Sequence, residues 1–245
     1  MKLMLAETKL LKDTTSIIAD LVTEVHFKVT PQAVELIAMD PANVAMVVFK
    51  LLSSAFAEYS IKEPRVLSVN LNDLKGVFRR IKPADTMTLE LSDNKLKVTL
   101  KGASKREFYL PLLDNEEREQ KVPNLNFTAV VNTSSDALQD AIDDADIIGE
   151  SVAFGADKDT FIVSSSSDLS KAVIELPADE NTKIKAVDGV RSKYSIEYLK
   201  KMVPVGKLVP RVEVSFSKDY PLKLEYKLID KMDLVFILAP RVDND

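Results

Sequence analysis

Four aspartates form the sequence's nearest approach to a catalytic metal site. Asp136, Asp140 and Asp143 are spaced i, i+4 and i+7 in the segment SDALQDAIDDADIIGE, so they share one face of a predicted helix, with Asp144 beside them. Carboxylates placed this way could gather Mg²⁺ for phosphodiester hydrolysis. Because no other predicted element adds a carboxylate to that face, we favour an exposed acidic helix and predict no metal site.

The other residue types that support enzymatic chemistry are absent or isolated. The chain has no cysteine, and its six glycines include no GxxxxGK(S/T) phosphate-binding loop. His26 is the only histidine, and the run Ser164–Ser167 has neither a nucleophile elbow nor a paired base. We therefore predict a protein that is not an enzyme, with no catalytic residue and no cofactor.

The basic residues indicate a different chemistry, the binding of phosphate groups. Lys75, Arg79 and Lys82 are spaced i, i+4 and i+7 along a predicted helix, with Arg80 beside them and no acidic residue between them. Further lysines lie on or just beyond two other predicted helices: Lys9, Lys12, Lys200, Lys201 and Lys207. One basic helix face is by itself most often solvated surface, and the acidic helix would repel phosphate, so any DNA-facing surface must be patchy.

Length and composition predict a soluble, intracellular, globular protein. The 245 residues are 46% apolar and 29% charged, with a net charge of −5. No apolar run approaches the roughly 20 residues of a membrane span, and the N-terminus becomes charged too soon for a signal peptide. Residues 1–113 hold 16 basic and 13 acidic residues, whereas residues 127–245 hold 15 and 21. Such a chain can bind nucleic acid only through a local basic surface.

The two halves of the chain repeat one pattern. An offset of 127 residues aligns Leu11 with Leu138, and an offset of 125 aligns Lys75 with Lys200. In each half, the spacing of apolar residues predicts a helix, three strands, a second helix, a hairpin and a last strand. The predicted helices cover 9–23, 71–82, 135–147 and 195–203; the predicted strands are HFKVT, AVELIAMD, VAMVVFKL, REFYLPLL, VAFGA, TFIVSS, KAVIELP and LVFILAP, with hairpins at 87–100 and 211–227.

Few helices beside many strands predict an α+β fold, in which helices lie on one face of antiparallel sheets. We predict two similar domains of duplicated βαβββ units, 1–113 and 127–245. The segment 114–126, DNEEREQKVPNLN, is polar and without periodicity, so we predict that it is the loop connecting the domains.

Four separated segments resemble the proliferating cell nuclear antigen family of sliding clamps, and its archaeal members in particular. In chain order they are LIAMDPANVAMVVF at 36–49, VNL at 69–71, VPNLNFTA at 122–129 and DYPLKLEY…FILAPRV at 219–242. The resemblance implies that three subunits close head to tail into a ring, a homotrimer or a heterotrimer, with the helices lining the hole.

The resemblance also implies a function in DNA replication and repair. A ring of this kind is a processivity factor, which encircles double-stranded DNA of any sequence and tethers DNA polymerase. The other implied partners are the clamp loader and PIP-box proteins such as flap endonuclease and DNA ligase, with no membrane contact. An archaeal protein would work in the cytoplasm or nucleoid, and a eukaryotic one in the nucleus.

Site residues are carried over from the family position by position. The partner-peptide pocket would comprise Met39, Asn43, Val44, Met46, Val122, Ser195, Pro221, Ile237, Ala239 and Pro240. Subunits would pair the edge strands 106–113 and 171–177, with an interface of Arg106, Phe108, Leu110, Leu112, Lys171, Val173, Ile174 and Leu176. Periodicity alone favours ordinary core for the apolar pocket residues.

For DNA contact, the chain both matches the family and departs from it. Lys12 and Arg79 occupy positions where the family commonly has a basic residue, whereas Asp13 and Gly76 stand where eukaryotic members usually carry lysine. Together with the acidic helix, these departures leave a second hypothesis open. The chain would then be a protein-binding adaptor, or one subunit of a heterotrimeric clamp, with weakened DNA contact.

Overall fold

The computed structural model describes residues 1–114, 120–187 and 189–241, and the chain forms two compact units. Unit 1 holds residues 1–41, 47–122 and 228–233, and unit 2 holds 42–46, 123–227 and 234–245. The main division falls between Val122 and Pro123, within the predicted connecting loop 114–126. Residues 115–119 of that loop, and Val242 at the end of the family-like segment, lie outside the described residues.

Unit 1 runs twice through a βαβββ order, with one short extra strand between the two runs. Its elements are β1 (Lys2–Leu5), α1 (Lys9–Ala19), β2 (Glu24–Val29), β3 (Ala33–Met39), β4 (Ala45–Leu52), β5 (Glu58–Ser60), β6 (Arg65–Asn70), α2 (Leu71–Phe78), β7 (Thr86–Ser92), β8 (Lys95–Lys101) and β9 (Lys105–Pro111). One sheet has the order β5-β1-β7-β8-β9, and β4, β3, β2 and β6 are neighbours in that order. The pairing is antiparallel, as in β7 with β8 and in β8 with β9.

Unit 2 follows the same scheme. Its elements are β10 (Ala129–Ser134), α3 (Ser135–Asp146), β11 (Ser151–Ala156), β12 (Thr160–Ser166), β13 (Lys171–Pro177), β14 (Lys183–Ala186), β15 (Val190–Ser195), α4 (Ile196–Met202), β16 (Arg211–Phe216), β17 (Leu222–Leu228) and β18 (Met232–Leu238). The strand orders are β13-β12-β11-β15 and β14-β10-β16-β17-β18. The α+β fold class is thereby confirmed, and β5 and β14 are additions to the duplicated pattern.

The helices form because each has one apolar face to bury and a polar start. Leu11 and Ile18 of α1 and Leu74 and Phe78 of α2 are all buried, and α1 packs against α2. In unit 2, α3 packs against α4 and against β10 to β13. The Asn70 side chain accepts a hydrogen bond from the Asn72 backbone N–H at 2.9 Å, which caps the first turn of α2. Each helix therefore buries one face and leaves the opposite face more exposed.

The predicted turn at Asp93 and Asn94 is confirmed. Both residues have positive φ, 47° and 59°, the backbone that a two-residue hairpin with the strand's own twist requires. The register places Ser92 opposite Lys95, directly across that turn. Aspartate and asparagine tolerate this conformation better than most residues, which is why the pair was readable in the sequence.

Two predicted helices end sooner than expected, and six strands were not assigned to a segment of the sequence, although the predicted βαβββ pattern requires four of them. α1 ends at Ala19 because the Asp20 and Leu21 N–H groups bond only three residues back, which tightens the last turn. After α2, the Arg79 N–H still bonds four residues back to Lys75, but the Arg80 and Ile81 N–H groups bond only three residues back, and Pro83 prevents any further helix. The strands missed are β1, β5, β6, β10, β14 and β15, short segments whose alternation is weak. No helix among the described residues has the length and apolar character needed to cross a membrane.

Candidate nucleic-acid interface and assembly edges

Lys75 of α2 is tied to the C-terminal end of α1. Its Nζ donates to Asp20 Oδ1 at 2.5 Å and to the Ser16 carbonyl oxygen at 3.2 Å, and the side chain is 14% exposed. The last turn of α1 contains no basic residue, so Lys75 supplies the cation that offsets the helix dipole there. No acidic residue lies between Lys75 and Lys82 in the sequence, and the carboxylate that pairs with Lys75 comes from the end of a different helix.

Unit 2 contains the same arrangement. Lys200 of α4 donates to Asp146, the last residue of α3, whose last turn also lacks a basic residue. The hydrogen bond from Lys200 to Asp146 raises the pKa of Lys200, and so does the nearby charge of Asp143. On the same helix, Lys201 donates to Glu197 at 2.8 Å and lowers the pKa of that carboxyl group. Each unit thus binds one lysine of its second helix to the end of its first helix.

The remaining predicted DNA contacts are not engaged with carboxylates. Arg79, Arg80 and Lys82 are all exposed in the turn that follows α2, and Lys207 is exposed at the end of a short 3₁₀ helix. Lys9 is exposed, and Lys12 is half-buried, on α1. None of these six side chains forms an ion pair with another described residue. The predicted stripe therefore becomes a cluster at the end of α2, because the helix stops at Phe78 and Lys82 lies beyond it.

An ion pair between the buried Asp85 and the half-buried Arg106 anchors this basic turn. Asp85, 3% exposed, accepts a hydrogen bond from the Lys82 backbone N–H at 2.7 Å and another from the Arg106 guanidinium. Arg106 also donates to the Arg80 carbonyl oxygen at 2.8 Å. The Lys82 N–H, helped by Arg106, lowers the pKa of Asp85, so the carboxylate is ionised near neutral pH. Arg106, expected at a subunit interface, directs its guanidinium into its own unit.

Gly102 makes this contact possible. A Cβ on Gly102 would lie 2.2 Å from Asp85 Oδ1, so only glycine leaves room for the buried carboxylate. Asp85, Asp20 and Asp146 were not among the site residues predicted from the sequence. No local pattern marks them, because each interacts with a side chain from a separate element.

The strands expected to join subunits are both sheet edges. β9 ends the five-stranded sheet of unit 1, and β13 ends a four-stranded sheet of unit 2, so each leaves one row of backbone N–H and C=O groups unpaired by its own sheet. Alternate residues of both strands are half-buried, and the apolar ones are Phe108 and Leu110 in β9 and Ala172, Ile174 and Leu176 in β13. Just beyond β9, Leu112 is half-buried as well. Lys171 and Val173 lie on the more exposed face of β13.

The residues expected to bind a partner peptide differ widely in exposure. Met46 and Ile237 are buried at 5% and 7%, whereas Val122 is 45% exposed. Asn43 is exposed with a positive φ of 57°. The half-buried members are Met39, Val44, Ser195, Pro221, Ala239 and Pro240. Two of the predicted residues are therefore core in the described structure.

Within each unit the structure brings some of these residues together. In unit 2, Ala239 donates its backbone N–H to the Val44 carbonyl at 2.9 Å, and Arg241 donates to the Lys193 carbonyl at 2.8 Å, two residues before Ser195. In unit 1, Met39 lines an open groove of about 500 Å³. The same groove is lined by Glu24, Val25, His26, Ile37, Ala38, Leu113, Asp114 and Gln120.

The four aspartates of the predicted acidic helix lie on the surface of α3. Asp136, Asp140, Asp143 and Asp144 are exposed on α3. Across residues 1–114, 120–187 and 189–241, no group of three or more His, Asp or Glu side chains is placed to hold a metal ion. His26 lies in β2, with its Nδ1 2.7 Å from Ser68 Oγ.

Family models match both halves of the chain. The model described as proliferating cell nuclear antigen, N-terminal domain, matches residues 1–111, and the model of the C-terminal domain matches residues 121–241. The chain belongs to the proliferating cell nuclear antigen family. The resemblance read from the four sequence segments is thereby confirmed.

Relatives in this family align over nearly the whole chain. The DNA polymerase sliding clamp of Nanoarchaeum equitans is 35% identical over 249 aligned positions, which cover 99% of this chain and 100% of the relative. That of Pyrococcus furiosus is 34% identical, with 91% of each chain covered. The crystal structure of proliferating cell nuclear antigen from Thermococcus kodakaraensis has a TM-score of 0.91 and 24% identity, covering 98% of this chain and 99% of that one, and shares the fold.

Proposed function

We propose that this chain is a DNA sliding clamp, a processivity factor that encircles duplex DNA and tethers DNA polymerase to it. The observation that carries the proposal is the end-to-end match to archaeal proteins named DNA polymerase sliding clamp. The matched family domains, 1–111 and 121–241, support the same function and agree with domains at 1–113 and 127–245 joined by a connecting loop. These relatives do not favour the adaptor hypothesis.

Three copies would close into a ring by adding β9 of one subunit to β13 of the next. Both strands are sheet edges with a row of half-buried apolar side chains, so their pairing would satisfy the backbone groups and cover those side chains together. Identical copies suffice for this scheme, because one chain provides both edges. We therefore propose a homotrimer.

DNA contact in this ring would come from the helices and the turn after α2. Six cations that form no ion pair with a described residue would contact phosphates first: Lys9, Lys12, Arg79, Arg80, Lys82 and Lys207. Lys75, Lys200 and Lys201 would do so only in exchange for their carboxylate partners. Contacts to phosphate by a few Lys and Arg side chains are independent of sequence and sensitive to salt. Weak contact suits a ring that must slide, since closure alone would retain it on DNA.

Partner proteins would dock through an extended peptide on the residues around the connecting loop. The proposed pocket keeps the predicted residues, and the half-buried Met39 with the exposed Val122 would meet the peptide first. Flexible methionine side chains suit a surface that accepts several ligands. We propose the clamp loader and PIP-box proteins such as flap endonuclease and DNA ligase as partners, with no enzymatic activity of the clamp itself.

The test is retention on circular DNA. The clamp is loaded on a closed circle, freed of unbound protein by gel filtration, and half of the sample is cut once with a restriction enzyme. We expect the protein to stay with the closed circle and to leave the linear DNA. Equal retention on both forms would refute encirclement. Light scattering on the free protein should give three times the chain mass of 27.2 kDa.

A further inference from the structure

Each unit contains an equivalent lysine–aspartate ion pair, which the sequence alone does not reveal. Lys75 and Lys200 are equivalent in the internal repeat, and each is bonded to an aspartate at the C-terminal end of the preceding helix, Asp20 and Asp146. We propose that these two aspartates limit the grip of the clamp on DNA by holding the lysines away from phosphate. The inference rests on the proposed function and concerns the strength of its DNA contact.

The repetition of the contact argues against a chance surface pairing. The halves of the chain share apolar spacing but few identities, yet in both of them the second helix supplies a lysine to the end of the first. In both, the first helix has no basic residue of its own in its last turn. In each unit the lysine therefore offsets the dipole at the helix end and also bonds to the carboxylate there.

The same lysines lie where DNA contact is proposed. Lys75 is followed on and just beyond α2 by Arg79, Arg80 and Lys82, which are free of carboxylate partners among the described residues. A carboxylate and a DNA phosphate offer a lysine the same kind of charge-assisted hydrogen bond, so they compete for it. Each phosphate that a clamp neutralises steepens the salt dependence of binding. A lysine that is bonded to a carboxylate neutralises no phosphate, so DNA binding is weaker and depends less on salt.

The two pairs should differ in how readily they exchange. The Lys200 and Asp146 side chains are 46% and 38% exposed, and an ion pair this open contributes little to stability. Lys75 is only 14% exposed and keeps a second bond to the Ser16 carbonyl. Removing Asp146 should therefore free its lysine more completely than removing Asp20.

The experiment compares Asp146→Asn with a matched loss of charge. Asp144→Asn removes the same charge from the same helix, but Asp144 forms no ion pair with a described residue; Asp143 acts on Lys200 and is unsuitable as the control. Affinity for a short linear duplex is measured by fluorescence anisotropy over a series of KCl concentrations. Light scattering confirms that each variant keeps the wild-type mass.

We expect Asp146→Asn to bind the duplex severalfold more tightly, with a slope of log K against log[KCl] steeper by about 0.9 for each additional phosphate that the protein neutralises. Asp20→Asn should show a smaller increase in affinity, and Asp144→Asn should leave the slope unchanged. In a Lys200→Gln background, Asp146→Asn should have no effect on the slope. Equal effects of Asp146→Asn and Asp144→Asn, or an effect that persists without Lys200, would overturn the inference.

The circular-DNA assay separates this outcome from the proposed function. A wild-type protein that leaves closed and linear DNA equally disproves the clamp, whatever the aspartate variants do. A wild-type protein retained only on closed circles, with aspartate variants indistinguishable from their control, disproves the inference alone.

Discussion

Gly76 lies inside α2 on the surface proposed to face DNA, and its replacement by alanine should stabilise unit 1. A Cβ at this position would meet no atom within 4 Å, and the residue is exposed with no positive φ. Glycine inside a helix is about 0.8–1 kcal/mol less favourable than alanine, because it loses more backbone freedom on folding. With no steric cost to subtract, Gly76→Ala should increase the free energy of unfolding by close to that amount.

A stabilisation of about 1 kcal/mol should raise the thermal midpoint by about 2–4 °C in a chain of this length. Calorimetry at one fixed protein concentration is the assay. Gly102→Ala is the opposing control, because its Cβ would lie 2.2 Å from Asp85 Oδ1 and should lower the midpoint. A lower midpoint for Gly76→Ala would contradict this expectation, since it would mean that α2 needs a glycine at this place.

Gly76→Lys extends the same test to DNA. It should be nearly as stabilising as alanine, since lysine is a good helix former, and it adds a cation one turn before Arg79 and Arg80. If this face of α2 meets phosphate, the slope of log K against log[KCl] should be steeper than that of Gly76→Ala by about 0.9 for each phosphate that the new lysine neutralises. A stabilised variant with an unchanged slope would place this face away from DNA.

Three further outcomes are expected. Because the lowered pKa of Asp85 makes its ionised form stabilising, the difference in thermal midpoint between wild type and Asp85→Asn should be full above about pH 4 and fade as the pH falls through the lowered pKa. Val173→Lys on the edge strand β13 should shift the light-scattering mass toward 27.2 kDa, whereas Leu169→Lys, 97% exposed before that strand, should leave it unchanged. Met39→Ala combined with Val122→Ala, the half-buried and the exposed member of the proposed pocket, should weaken binding of a partner peptide by about 2–4 kcal/mol in calorimetry while the light-scattering mass stays unchanged; undiminished affinity would contradict the pocket.

The spacing of apolar residues was enough to predict the architecture. The repeat, the four helices and the longer strands leave periodic patterns in the sequence, because burial of one face imposes a period on each element. The turn at Asp93 and Asn94 was also readable, since few residue types accept its backbone. Strands such as β14, with four residues and two exposed lysines, left no such pattern, because their neighbours in the sheet determine them.

The electrostatics of the candidate site depended on the tertiary structure. From the sequence, Lys75 belongs to an unopposed basic stripe, and only folding brings Asp20, 55 residues away, into contact with it. Likewise Asp85 and Arg106, 21 residues apart, meet only because β9 lies next to the turn after α2. Side-chain type and spacing record which face of an element is buried. They do not indicate which charged residue of another element will contact that face, because the packing of the whole unit determines that partner.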